Sequence, residues 1–294
     1  MHLYALGNDE KVIYAGHADK HINYICLECA QVVRLRSGFH RQAHFYHLQP
    51  NHKCRLNGKS MSHLMLQHYL ESVLPKGEVQ LEHRFPLIQR IADVAWITEK
   101  IIFEVQCSPI SAAEVLQRNA DYASQGYQVV WLLHENRYNQ KRLSAAEDAL
   151  KCFPHYFSNM DAEGKGDVFD QLSFAVQGMR KQYLSKLLID VSKPHRKLHV
   201  DQLSLPQIIA ERLETWPVCF RGDYVYLCHE KASDIELLKV FLDAIFLAET
   251  QWRVDFDRGI MELSLWNFFK KIYVNYLAFS YRSVLRLILE KASR

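Results

Sequence analysis

Polar and apolar residues change rhythm repeatedly along the chain, and each rhythm predicts an element. Short alternating runs at 2–6 and 12–16 flank a Gly-Asn-Asp-Glu turn and read as strands; 31–36 alternates in the same way. Residues 60–74 place Met61, Leu64, Met65, Leu66, Tyr69, Leu70 and Val73 at helical spacing, and Pro75 and Gly77 end that helix. A strand follows at 79–85, with Glu82 inside it and Pro86 after it. Residues 91–106 form two apolar runs around a polar break at Thr98–Lys100, which predicts a β-hairpin. Ser111 and Glu114 have capping-box spacing, so a helix starts near Ala112 and stops at Gly126. The nearly all-apolar run 127–134 reads as a buried strand. Beyond it, 168–176 and 224–229 look like strands, and 177–189, 205–215, 233–247 and 262–291 look helical.

The hairpin carries the first candidate chemistry. Glu104 and Gln106 lie two apart on one face of its second strand. A turn with an even number of residues, such as Thr98-Glu99, sets Asp93 directly opposite Glu104. Carboxylates in strands of this apolarity need a partner or a metal ion. Ion pairs with Arg90 or Arg118 are the structural alternative. Arg118 and Tyr122, four apart, share a face of the next helix. His63 and His68 read as surface residues of the first helix.

Cys26 and Cys29 have the Cys-x2-Cys spacing that lets two thiolates meet one zinc ion. Candidates for the remaining ligands follow: His47 first, then His44 or Cys54. Zinc would also help a segment of about 55 residues to fold, since so short a chain buries little core. A pair of ordinary buried thiols is the alternative.

Composition narrows the setting. The 294 residues carry a net charge of +3, with a pI of about 8.4, which permits nucleic-acid binding without requiring it. The sequence opens with no secretory signal and holds no apolar run long enough to span a membrane. Seven unevenly placed cysteines fit a reducing, cytoplasmic compartment better than a disulfide framework.

The helix–strand–strand–strand–helix–strand order, with Asp before Glu-x-Gln, resembles the PD-(D/E)XK restriction-endonuclease-like superfamily. The run Phe-Glu-Val-Gln-Cys-Ser-Pro-Ile-Ser (103–111), Ile-Ala-Asp-Val (91–94), Arg118 with Tyr122, and Val130-Trp131-Leu132 resemble the competence protein CoiA family more closely. The Cys-x2-Cys and His-Phe-Tyr-His elements are similar to the family's N-terminal segment, and the resemblance covers roughly 1–135. It implies a mixed α+β fold with a zinc-ribbon-like segment at 1–57 and a nuclease-like domain at 58–150; beyond the resemblance, the helical patterns make 151–294 a mainly helical region. It implies Mg²⁺- or Mn²⁺-dependent cleavage of DNA, single-stranded and taken up in natural transformation, with recombination proteins as further partners. Asp93 and Glu104 would be metal ligands, assisted by Glu82. Gln106 stands where the superfamily usually has lysine, and Arg118 and Tyr122 would contact substrate. The helix pattern Glu-Ser…Glu-His…Lys is replaced by Lys59-Ser60…Ser62-His63…Gln67. These departures keep open a second reading, a catalytically inactive DNA-binding or recombination-mediator module.

Residues 159–166 read as a turn or linker. Basic and aromatic residues at 266–286 fit a DNA channel or partner-docking helix less well than a core-packing amphipathic helix. Cys219 and Cys228 flank a predicted hairpin, at a spacing wrong for a zinc knuckle.

Overall fold

The computed structural model describes residues 2–9, 11–39, 41–49, 54, 59–171, 173–176, 179–182, 185–196, 207–230 and 247. All but Leu247 lie in one compact unit, Met1–Asp243; Ala244–Arg294 is a second unit.

Five short strands open the chain: β1 (Tyr4–Leu6), β2 (Val12–Tyr14), β3 (Asn23–Ile25), β4 (Val32–Gly38) and β5 (Arg41–His47). They form an antiparallel sheet in the order β2-β1-β3-β4-β5. His2 and Phe45 exchange both backbone hydrogen bonds, at 3.3 and 2.8 Å, so the sheet curls back on itself. Alternation along β4 explains the curl's interior. Val33 and Leu35 turn inward to join Ala5, Tyr24 and Phe45, while Arg34 and Arg36 face solvent.

The second layer system begins with α1 (Met61–Val73), whose N-cap Ser60 accepts the His63 N–H. Then come β6 (Val79–Phe85), β7 (Arg90–Trp96), β8 (Ile101–Gln106), α2 (Ala112–Ser124), β9 (Gln128–His134), α3 (Ala145–Leu150), β10 (His155–Ser158) and β11 (Val168–Asp170). β12 (Ser173–Val176) and β13 (Met179–Gln182) pair with each other, and β14 (Leu187–Leu188) adds to β11. The resulting sheet has the order β14-β11-β10-β9-β8-β7-β6. β6, β7 and β8 are antiparallel; β8, β9 and β10 are parallel, joined by α2 and α3 as parallel pairing demands.

Apolar residues fill both faces of this sheet. α1 covers Val94, Phe103, Val105, Val130 and Leu132 on one side. α2 and α3 cover Ala95, Ile102, Trp131 and Leu133 on the other. Each large side chain removed from water here contributes about 1.5–3 kcal/mol.

Four expectations for the C-terminal part need correction. Residues 177–189 do not form a helix: β13 and β14 lie there, with Val176 paired to Met179. Residues 224–229 are not a strand but the helix α5 (Tyr224–Glu230), which follows α4 (Gln207–Thr215), β15 (Asp190–Arg196) and β16 (Val218–Arg221). Asp223 initiates that helix, its carboxylate accepting the Val225 N–H at 2.6 Å, and this local cap outweighs the strand propensity of Tyr-Val-Tyr. Cys219 and Cys228 therefore lie in a strand and a helix rather than beside a hairpin. The α4 segment agrees with the helix expected at 205–215. The helices expected at 233–247 and 262–291 lie outside the described residues, Leu247 excepted. The mainly helical character expected of 151–294 does not hold for the described part, where β10 to β16 predominate.

Candidate active site and metal cluster

β7 and β8 pair through Val94–Phe103, Ala95–Ile102 and Trp96–Ile101. The loop Ile97–Lys100 has the even length expected, and continuing the register by one step sets Asp93 opposite Glu104. Both carboxylates are buried, at 7 % and 1 % exposure. Different helices hold them: Lys59, His63 and Gln67 at α1 hold Asp93, and Arg118 and Tyr122 on α2 hold Glu104.

The cause is a slip in alternation. Ala92 belongs to the core under α2, yet Val94, two residues on, belongs to the core under α1. β6 changes faces at the matching place: Leu81 packs with the α1 core and Phe85 with the α2 core. Between them Glu82 adopts φ +50, and the Glu82–Asp93 rung is missing from a pairing that otherwise runs from Val79–Trp96 to Phe85–Arg90. A left-handed non-glycine residue in a strand is a strained feature of the kind found at functional sites.

The slip turns Asp93 toward α1. Its Oδ1 accepts from Lys59 Nζ at 2.8 Å and lies 3.1 Å from His63 Nε2; its Oδ2 accepts the Val105 N–H at 2.9 Å. Gln67 Nε2 donates to the Asp93 carbonyl at 2.9 Å. Lys59 also reaches Glu82 Oε1 at 3.1 Å. Burial alone would raise the Asp93 carboxyl, but His63 and Lys59 hold it well below the usual carboxylate range. Burial works against the Lys59 charge, and Asp93 and Glu82 outweigh it, keeping the ammonium protonated. Burial lowers the His63 pKa despite the Asp93 charge.

Glu104 keeps the normal alternation and faces α2. Arg118 donates to Oε2 at 2.6 Å and the Tyr122 hydroxyl to Oε1 at 2.7 Å. Burial raises the Glu104 carboxyl to about 7, against the pull of Arg118. Arg90 does not pair with either carboxylate of the hairpin; it binds Glu114 and Asp121 at 2.7 and 2.8 Å. Gln106 donates to the Ser108 carbonyl at 2.6 Å and to its hydroxyl at 3.1 Å.

A cleft of about 550 Å³ opens over this rung, lined among others by Lys59, Arg90, Asp93, Gln106, Ser108 and Arg118. Glu82 and Glu104 are not among its lining residues. Among the described residues Glu82 Oε2 is buried without a hydrogen-bond partner. The three carboxylates and the cations Lys59 and Arg118 leave a formal excess of one negative charge when all are ionised. That charge and the all-oxygen acidic donor set fit a hard divalent cation in chemistry.

His63, expected on the helix surface, is buried against Asp93. His68 is exposed, as expected, and pairs with Glu71. The signal that could have found Lys59, His63 and Gln67 is the four-residue spacing of His63 and Gln67, which share one stripe of α1, with Lys59 just before the N-cap Ser60.

In the first sheet, Cys26, Cys29, His47 and Cys54 bring their ligand atoms within 4.8 Å of one another. Cys26 and Cys54 sulfurs are 3.7 Å apart, and Cys29 Sγ is 3.2 Å from His47 Nε2. Two thiolates at ~2.3 Å from a tetrahedral zinc ion lie about 3.7 Å apart, far beyond a disulfide bond. Ala30, at φ +55, returns its N–H to the Cys26 carbonyl and tightens the knuckle. This cluster could hold a metal ion, and its donors are those zinc prefers. His44 is buried but stands outside the cluster.

Residues 55–172 match the family model of the competence protein CoiA, nuclease-like domain. That segment, 118 of the 294 residues, is similar to the CoiA nuclease-like domain. No curated protein matches the chain, and no solved structure does. The matched segment contains α1, the β6–β8 sheet edge, α2 and the cleft, so Glu82, Asp93, Glu104, Lys59 and Arg118 all fall inside it. No helix among the described residues is long and apolar enough to cross a membrane.

Proposed function

We propose that the domain hydrolyses phosphodiester bonds in DNA, using Mg²⁺ or Mn²⁺ held by Asp93 and Glu104 with Glu82 in support. The observation that supports this reading is the pair of buried carboxylates Asp93 and Glu104 on adjacent strands, beside a cleft lined by Lys59, Arg90 and Arg118, within a segment that matches a nuclease-like family. The ion, when bound, polarises a phosphate and lowers the pKa of a water molecule.

The chain's own residues do the rest. Arg90 and Arg118 line the cleft and attract the phosphate backbone. Tyr122 and Arg118 fix the Glu104 carboxylate in one orientation. Lys59 holds Asp93 ionised, and supplies near the cleft the positive charge that Gln106 lacks. Gln106, anchored on Ser108, orients by hydrogen bonds alone. The Cys26/Cys29/His47/Cys54 cluster binds a structural zinc ion, which stiffens the first sheet. The substrate is DNA taken up in natural transformation, single-stranded, and processed in the cytoplasm for recombination; recombination proteins are its partners.

A specific observation favours a second reading, DNA binding without cleavage. The Lys59 ammonium occupies Asp93 at 2.8 Å, and Gln106 replaces the usual lysine. Labelled single- and double-stranded DNA, incubated with Mg²⁺ or Mn²⁺, separates the two. Cleavage by the wild type and none by Glu104→Ala supports hydrolysis. Strand binding by both proteins with no cutting by either moves the assignment to the second reading.

A further inference from the structure

Between Glu28 and Glu71 the sequence contains no acidic residue and six lysines or arginines: Arg34, Arg36, Arg41, Lys53, Arg55 and Lys59. Lys59 is spent inside the nuclease-like domain, on Asp93 and Glu82. Arg34 and Arg36 are not spent in this way. Both lie on the outer face of β4, exposed, alternating with the inward Val33 and Leu35; Arg36 stands opposite the buried His44. Register sets Arg34 opposite Tyr46, and the Arg36 guanidinium lies over the Tyr46 ring, 4.5 Å from its centroid. Arg34 is steadied by its Nε, which donates to Asn23 Oδ1 at 2.6 Å and leaves the outer edge of the fork accessible. Phe39 stands 99 % exposed at the turn between β4 and β5. The nearest acid in sequence, Glu28, is engaged with Arg84 at 3.3 Å, its side chain only 10 % exposed.

We propose that this outer face of the first sheet, formed by Arg34, Arg36, Tyr46 and Phe39, is a binding surface for single-stranded nucleic acid, separate from the cleft. Two fixed guanidinium groups in an acid-free stretch complement a phosphate backbone. The Arg36–Tyr46 cation–π pair and the exposed Phe39 ring offer planar groups to bases, and bases are open to stacking only where the strand is unpaired. A duplex buries those base faces, so the surface selects single strands. The choice of DNA rests on the reading of the neighbouring domain as DNA-handling; the recognition chemistry does not.

Fluorescence anisotropy with a labelled 20-nucleotide single strand and its duplex, with no divalent ion added, tests this without any cutting. Arg34→Ala/Arg36→Ala should weaken single-strand binding at least tenfold. It should also reduce the slope of log affinity against log salt by roughly 1.4, about 0.7 for each lost phosphate contact. Phe39→Ala should weaken binding roughly fivefold or more with the slope unchanged, as loss of one stacked base predicts. Arg34→Lys/Arg36→Lys keeps the charge and the fold, and should hold the slope while losing several-fold in affinity. Wild-type affinity and slope in both arginine variants would overturn the proposal. So would duplex binding as tight as single-strand binding, or displacement by polyglutamate at equal charge concentration. Absence of cleavage in the presence of Mg²⁺ bears on the cleft alone: it defeats hydrolysis and leaves this surface standing.

Discussion

The Lys59 ammonium lies 2.8 Å from an Asp93 oxygen, although the two residues sit in different elements and neither is more than 10 % exposed at its side chain. A divalent ion bound by Asp93 therefore meets a resident cation, and the two must share or exchange the carboxylate.

Lys59→Met should make that competition visible. Removing one partner of a buried ion pair costs roughly 3–5 kcal/mol, because the remaining charges stay dry and uncompensated. Asp93 and Glu82 are left in that state, so the urea midpoint falls. Millimolar Mn²⁺ should then stabilise the variant far more than the wild type, restoring about 2–3 kcal/mol when the ion is at roughly a hundredfold its dissociation constant. Thermal melts with and without Mn²⁺ check this; equal metal-induced shifts in both proteins would contradict it.

Glu104 has an unusual sign of pH linkage. Its folded pKa, about 7, lies above its ordinary value of 4.5. The protonated form is therefore favoured by folding: the contribution is fully present below about 4.5 and is lost as pH rises through 7. The difference corresponds to on the order of 3 kcal/mol. Compared with Glu104→Gln, the wild type should lose about that much stability between pH 4.5 and pH 8. Urea denaturation of both proteins without divalent ions measures it, and parallel pH profiles would disprove it.

Metal removal should act on the first sheet before the second. The purified protein is expected to hold about one equivalent of zinc. Stripping it with a strong chelator should release Cys26, Cys29 and Cys54 to a thiol reagent and melt the curled sheet, whose core is small. Far less than one equivalent in protein never exposed to chelator, together with unchanged thiol reactivity, would argue against a filled site.

Gly166 sits between β10 and β11 at φ +141, where a Cβ would come 2.6 Å from the Met160 Cα. Gly166→Ala combines backbone strain with a clash against main chain, so a loss of roughly 2–4 kcal/mol is expected. A denaturation midpoint within error of wild type would show that the turn can rearrange.

The hairpin was legible because strict alternation and an even loop fix its register, and Glu104 with Tyr122 and Arg118 followed from ordinary strand and helix periodicity. Asp93 was legible as an acid in a buried strand but not in its direction. That depends on the left-handed turn at Glu82, a conformation nothing in a Leu-Glu-His sequence announces. His63 and Gln67 read as polar helix positions until the slip turns Asp93 toward them. Cys54 followed the knuckle at a distance of chain that spacing cannot resolve, so His44 competed with it. Farther on, 177–189 satisfied a helical pattern, while β13 pairs locally with β12 and β14 pairs with the more distant β11.

The slip at Asp93 has a kinetic meaning. A hairpin such as β7–β8 closes in microseconds from local contacts, whereas the groups that hold Asp93 lie 26 to 34 residues upstream on or beside α1. The Val105 amide, which in a regular ladder would belong to the hairpin alone, donates instead to an Asp93 oxygen. Its proton is thus shielded while Asp93 keeps the orientation in which Lys59, His63 and Gln67 hold it. Hydrogen exchange at that single amide reports how often that hold opens and lets water reach the carboxylates.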